Sequence, residues 1–188
     1  MSRTLGLRNR QWVRAVDTRL LRRIARWALE EQFHAADYEL GVHLVTAAEM
    51  TRVNESFLDH EGSTDVITFD HREAERQAPA RRGPSAGSSR AGSRRSVPVQ
   101  GPPARSHSGG SLHGEIFVCL EDAVTQARLF DTDWQSELAR YLLHGLLHLH
   151  GFDDLTPHAR RRMKREENRL LRLVQRQFPL RRLARPRH

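Results

Sequence analysis

Residues 71–112 cannot build structure of their own, and this divides whatever fold the chain adopts into two pieces. The stretch HREAERQAPARRGPSAGSSRAGSRRSVPVQGPPARSHSGGSL holds five of the eight prolines, eight serines and eight arginines, with almost no large apolar side chain. A segment of that composition buries too little surface to offset the entropy of ordering it. It reads as a disordered insertion. Both flanks, DVITFD at 65–70 and GEIFVC at 114–119, are short runs of β-branched and aromatic residues, so the insertion joins two strands. The expected organisation is one domain built from 1–70 and 113–180, interrupted by 71–112 and followed by a basic tail at 181–188. Without the insertion, the 188-residue chain has an ordinary single-domain size.

The ordered pieces carry clear periodicities. Leu20, Leu21, Ile24, Trp27, Ala28 and Leu29 recur at helical spacing within 14–33, residues 38–45 read as a strand, and 47–58 as a second helix. After the insertion, 121–130 and 133–149 read as helices, the second opened by Asp133 as N-cap and stopped by Gly151. Pro157 suits a first helical turn. From there to 177, Met163, Leu170, Leu171 and Val174 share one side of a helix that is otherwise basic. The order α-β-α-β-β-α-α-α predicts an α/β (α+β) domain, a small mixed β-sheet packed with helices.

The net charge of +8 is unevenly placed. Residues 71–112 carry +6 and residues 160–188 carry +10, which leaves −8 on the rest. An acidic body with basic edges suits a polyanionic partner whose phosphates are held at the periphery while a cation neutralises the centre. Nothing in the chain resembles a membrane span or a secretory signal, and a single cysteine, Cys119, can form no internal disulfide. The expectation is a cytoplasmic protein with no membrane partner and with Cys119 as a small buried residue.

The segment YLLHGLLHLHGFDD at 141–154 is the most informative part. His144 and His148 are four residues apart, so on a helix both imidazoles lie on one face and reach one ion. Gly151 lets the chain reverse and brings Asp153 or Asp154 back towards them. Two histidines and a carboxylate, with a coordination position left open, form a catalytic zinc shell. Burying two imidazoles side by side without a metal would cost desolvation that no visible partner offsets. His150 points off that face. His60, His113 and His158 read as surface or turn positions, although each could serve as an extra ligand or acid–base group.

HGLLHLHGFDD at 144–154 resembles the H-G-x-L-H-L-x-G-Y-D-H signature of the YbeY endoribonucleases. NESFLDHEGSTDVITF at 54–69 and GEIFVC at 114–119 resemble two further blocks of that family, in the same order. The resemblance implies a metal site of His144, His148 and Asp154, on a helix and the turn after it, with one Zn2+ per chain. Asp154 stands where the family has a third histidine, which keeps a metal-binding atom but exchanges a neutral nitrogen for an anionic oxygen. Leu58 stands where the family has an arginine that serves RNA cleavage. The implied function is a single-strand-specific zinc-dependent endoribonuclease acting in rRNA maturation, at the 3′ end of small-subunit rRNA, and in ribosome quality control. Its partners would be single-stranded RNA, rRNA and ribosomal subunits, with no DNA expected.

An acidified water and a polarised phosphoryl oxygen are what such a metal supplies to phosphodiester hydrolysis. Asp153, Asp65 and His60 are the candidate catalytic proton acceptors. Gly145 follows His144 where H-E-x-x-H peptidases place their glutamate, which argues against a metallopeptidase. A non-catalytic, zinc-stabilised RNA-binding factor on the ribosome is the other alternative, and a closed four-ligand shell would favour it.

Overall fold

A computed structural model describes residues 2–58, 63–72 and 111–185. Its elements in chain order are β1 (Arg3–Asn9), α1 (Thr18–Trp27), a π-helical turn (Ala28–Gln32), β2 (Tyr38–Val45) and α2 (Ala47–Leu58). There follow β3 (Val66–Asp70), β4 (Leu112–Cys119) and three helices, which we number α3 (Leu120–Leu129), α4 (Trp134–Leu149) and α5 (Pro157–Gln177), then a 3₁₀ turn (Leu180–Leu183). The sheet order is β1-β2-β4-β3, with β1 parallel to β2, β2 parallel to β4, and β3 antiparallel to β4. The fold is thus α/β with a small mixed sheet.

The main core lies on one sheet face, under α1 and α4. Val42, Leu44, Ile116 and Val118 meet Leu21, Ile24, Leu138, Leu142, Leu143, Leu146 and Leu147 there, all fully buried. Gly145 lets α4 lie close on the sheet, because a Cβ at that position would come within 2.6 Å of Ile116 Cγ2. A smaller cluster of Val45, Met50, Ile67, Phe69 and Cys119 fills the other face. Cys119 is buried as expected, and desolvation raises its thiol pKa to about 11. Among the described residues no helix is long and apolar enough to cross a membrane.

Three sequence expectations need correction. The sequence pattern predicts no element where β1 forms, and the first helix starts at Thr18, later than expected, with Asp17 accepting from the amides of Arg19 and Leu20. As an edge strand, β1 half-buries only Leu5 and Leu7 and leaves Arg3 and Arg8 in solvent, so alternation is weak. The expected insertion, 71–112, meets described structure at both of its ends. His71 and Arg72 are helical, Leu112 opens β4, and the Arg72 guanidinium binds Asp70 and the carbonyls of Ser111 and Leu149. Residues 73–110 lie outside the described residues. Finally, the run 181–185 is no tail. Leu183 is fully buried, the Asp17 amide donates to Leu183 O at 2.8 Å, and the Arg185 amide donates to Ala15 O at 2.9 Å. Leu180 and Leu183, one 3₁₀ turn apart, supply the apolar contact that anchors it.

Candidate metal centre

α4 presents the two histidines and its C-terminus presents the carboxylate. The helix starts at Asp133, whose side chain accepts from the Ser136 amide at 2.8 Å. It ends with Gly151 at φ 89°, where the Phe152 amide donates to Leu147 O at 3.0 Å and the Gly151 amide donates to His148 O at 2.9 Å. This pair of bonds is a Schellman closure, which needs the left-handed conformation glycine takes without strain. The reversal carries residues 152–154 back over the last turn. One ligand atom from each of His144, His148 and Asp154 then lies within 4.8 Å of the other two, so the trio could hold a metal ion.

The hydrogen bonds decide which ring nitrogens are available. His148 Nδ1 lies 3.1 Å from the carbonyl oxygen of Phe152, and His144 Nδ1 lies 3.1 Å from Glu167 Oε2 on α5. A carbonyl and an ionised carboxylate only accept, so both Nδ1 atoms carry the proton. Both Nε2 lone pairs then point at each other across 3.0 Å. Only a positive centre between them, a proton or a metal ion, satisfies both. Two nitrogens on tetrahedral zinc, with bonds of about 2.0–2.1 Å, would sit about 3.3 Å apart. The donor set and its spacing therefore fit the group.

The electrostatics agree. For His144, burial works against protonation, but the hydrogen bond and charge of Glu167 outweigh it and raise the pKa. His148 moves the other way, lowered by burial and then by the charge of His144. Burial would raise Glu167, yet its bonds to His144 and Arg140, with Lys164 nearby, bring it down to about 2. Glu167 is thus a buried carboxylate shared by Arg140 Nη1 at 2.7 Å, Lys164 Nζ at 3.2 Å and His144. Metal-bound histidines ordinarily have such a partner on the second nitrogen.

A cleft of about 550 Å³ opens beside His144. Asp65, Asp122, Glu137 and Glu167 line it against only Arg140 and Lys164, an excess of negative charge that a divalent cation would neutralise. Of the three candidate bases, Asp65 lines this cleft, and its charge acts on both imidazoles. One of its oxygens accepts from the Val66 amide at 3.0 Å and from Thr64 Oγ1 at 3.1 Å. Asp153 instead accepts from the Leu155 amide at 3.3 Å, holding the turn, and is not part of the cleft wall. His60 lies outside the described residues. His150 packs against Phe33, and His113 faces Glu39 on the other side of the sheet.

Sequence reasoning missed Glu167 and Arg140. Glu167 was visible in principle, since it follows Met163 by four and precedes Leu170 by three, an acidic residue on the apolar stripe of α5.

The profile of the family described as Endoribonuclease YbeY matches residues 6–175. The chain belongs to the YbeY family. Among relatives named Endoribonuclease YbeY, the Salinibacter ruber protein is 36% identical over 65% of this chain and 62% of its own length. The Bacteroides fragilis protein is 26% identical over 86% of this chain and 81% of its own. The chain thus spans less than two thirds of the length of the first of these YbeY relatives. A Thermotoga maritima protein solved in solution superposes with a TM-score of 0.49 at 23% identity, covering 96% of this chain and 95% of that one.

Proposed function

We propose that the chain is a zinc-dependent, single-strand-specific endoribonuclease in which His144, His148 and Asp154 hold one Zn2+. The observation that carries this reading is the pair of Nε2 lone pairs 3.0 Å apart, with a carboxylate in reach, beside an open acidic cleft. Three protein ligands leave a tetrahedral ion one exchangeable position, as catalytic sites do. The chemistry a bound zinc supplies is a more acidic water and a polarised phosphoryl oxygen.

The chain's own residues do the rest. Glu167 and the Phe152 carbonyl fix the tautomers, so that both histidines offer unprotonated Nε2 atoms. Asp65 is the proton acceptor this reading favours over Asp153 and His60, because its carboxylate lines the cleft. Single-stranded RNA is the substrate this reading favours over a duplex, whose backbone geometry is fixed and whose bases are stacked away from a compact cleft. Family membership supports rRNA as the substrate, at the 3′ end of the small-subunit rRNA and in ribosome quality control, with ribosomal subunits as partners in the cytoplasm. DNA is not an expected substrate.

The test is reconstitution. Chelator-treated protein should leave a single-stranded RNA intact, added zinc should restore cleavage, and the same RNA annealed to its complement should resist. The His148→Ala variant should not cut. Cleavage by that variant would show that the activity does not come from this site, and a zinc-loaded wild type that binds RNA and never cuts would decide for the non-catalytic reading.

A further inference from the structure

The outer face of α5 carries a pattern that the metal site does not use. Arg161, Arg165, Arg169, Arg172 and Arg176 are all exposed and follow one another at intervals of four, four, three and four residues. At about 100° per residue these five fall within one stripe along the helix, turned away from the buried Met163, Leu170 and Val174. The stripe is about 22 Å long, with a guanidinium roughly every 6 Å along the axis.

A solvated helix face ordinarily alternates charge, placing a glutamate one turn before a cation. That compensation is nearly absent here. Glu166 and Glu167 are the acidic residues of α5; Glu167 is buried against His144, and Glu166 pairs with Arg169 at 2.7 Å. Arg161, Arg165, Arg172 and Arg176 have no carboxylate within ion-pair distance among the described residues. Like charges one turn apart repel, so the stripe works against the helix unless an anion runs along it. The same helix reaches the cleft, because Lys164 and Glu167 form part of its wall. Arg162 is set over the Phe152 ring at 4.7 Å, beside the turn that carries Asp154.

We propose that this arginine stripe of α5 is a track for the sugar–phosphate backbone of single-stranded RNA, leading it along the helix past the cleft; this rests on the ribonuclease reading above. Linear, regularly spaced cations on an acidic body match a linear polyanion. An anionic membrane fits less well. A helix lying on lipid turns an apolar face to the bilayer, whereas the apolar side of α5 is spent on the core.

The experiment uses the full-length, zinc-loaded protein and a fluorescently labelled single-stranded RNA oligonucleotide, with the dissociation constant measured over a salt series. Replacing Arg161, Arg165, Arg172 and Arg176 together by Gln should raise Kd roughly tenfold or more at low salt. The slope of log K against log salt should fall by about 3, since each phosphate contact with a single strand contributes about 0.7. Gln keeps helix propensity and relieves the like-charge repulsion, so zinc content should be unchanged and the melting temperature equal or slightly higher. Should the quadruple variant fold poorly, the single changes Arg165→Gln and Arg172→Gln should each lower the slope by about 0.7, while Arg165→Lys should preserve it. An unchanged Kd and slope overturns the track, as does wild-type protein that binds phosphatidylserine vesicles in preference to the RNA. Cleavage read on the same samples separates the two readings. Cutting with stripe-independent binding sinks the track alone, and stripe-dependent binding without cutting sinks the nuclease alone.

Discussion

Glu167 of α5 accepts from Nδ1 of His144 on α4 at 3.1 Å, so the ring nearest the cleft is held by a helix that begins after the metal turn. The same carboxylate binds Arg140, three residues past Glu137 on α4. Glu167→Gln keeps the shape but removes the charge that draws in two cations and fixes the His144 proton on Nδ1. We expect zinc affinity to fall about 10–100-fold, measured by competition with a chromogenic chelator. Retention of wild-type affinity would mean that His144 needs no partner on α5.

In the proposed site Asp154 supplies the third ligand, at the position where the family signature this chain resembles has a histidine. Asp154→Ala should lose most bound zinc and Asp154→His should keep it, because a histidine there restores the family's donor. Metal content by mass spectrometry reads both. Equal loss in the two variants, with Asp153→Ala the damaging change, would move the carboxylate ligand by one residue and contradict the turn bond from the Leu155 amide to Asp153.

Gly145 sits between the two helical histidines and against the sheet. A methyl group added there meets Ile116 Cγ2 at 2.6 Å and Val66 Cγ1 at 3.2 Å. Gly145→Ala should gain about 1 kcal/mol of helix propensity and lose about 1–3 kcal/mol to overpacking, a net destabilisation visible in denaturant melts. Combined with Ile116→Ala, which removes the obstructing methyl, the two changes should cost less than their sum. Strict additivity would show that α4 shifts to accommodate the methyl.

How much of this could be read in advance followed from where each signal lives. The His144–His148 spacing, the Gly151 stop and the Asp133 cap are local, and they predicted α4 and its two imidazoles before any tertiary contact was known. Strand β1 was invisible because Leu5 and Leu7 are its only inward apolar residues, and its identity depends on pairing with β2 thirty-five residues on, in the register Leu5↔Leu40. The partner of Glu167 was hidden for the same reason. The place of Glu167 on the apolar stripe of α5 set it apart from Glu166, which ends in a surface ion pair with Arg169, but its partner His144 is distant in sequence, so nothing local said what it binds.

Replacing residues 75–110 by a short Gly-Ser linker should leave thermal stability and zinc content nearly unchanged, since a segment so poor in apolar groups contributes little burial and closure entropy varies slowly with length. Arg72→Ala should behave differently. It removes a guanidinium shared by Asp70 and two backbone carbonyls, one of them Leu149 O at the end of α4. A loss of about 1.5–3 kcal/mol is expected. If the linker variant unfolds as readily as Arg72→Ala, the segment does pack on the domain.

The proton acceptor can be separated from the ligands by kinetics. Asp65 lines the cleft, Asp153 holds a turn outside it, and His60 has no described position, so Asp65→Asn should be the damaging change of the three. A lost general base costs typically 10²–10⁴-fold, and the loss should appear in kcat with zinc occupancy intact, because Asp65 is not among the three converging ligand atoms. Asp153→Asn and His60→Gln should cut RNA at close to the wild-type rate. Asn keeps an oxygen that can accept from the Val66 amide, so the entry into β3 should survive and thermal stability should change little. If zinc is lost together with activity in Asp65→Asn, the residue supports the metal instead of moving a proton. If only His60→Gln is slow, the base comes from the segment before β3, and the Asp65 assignment fails.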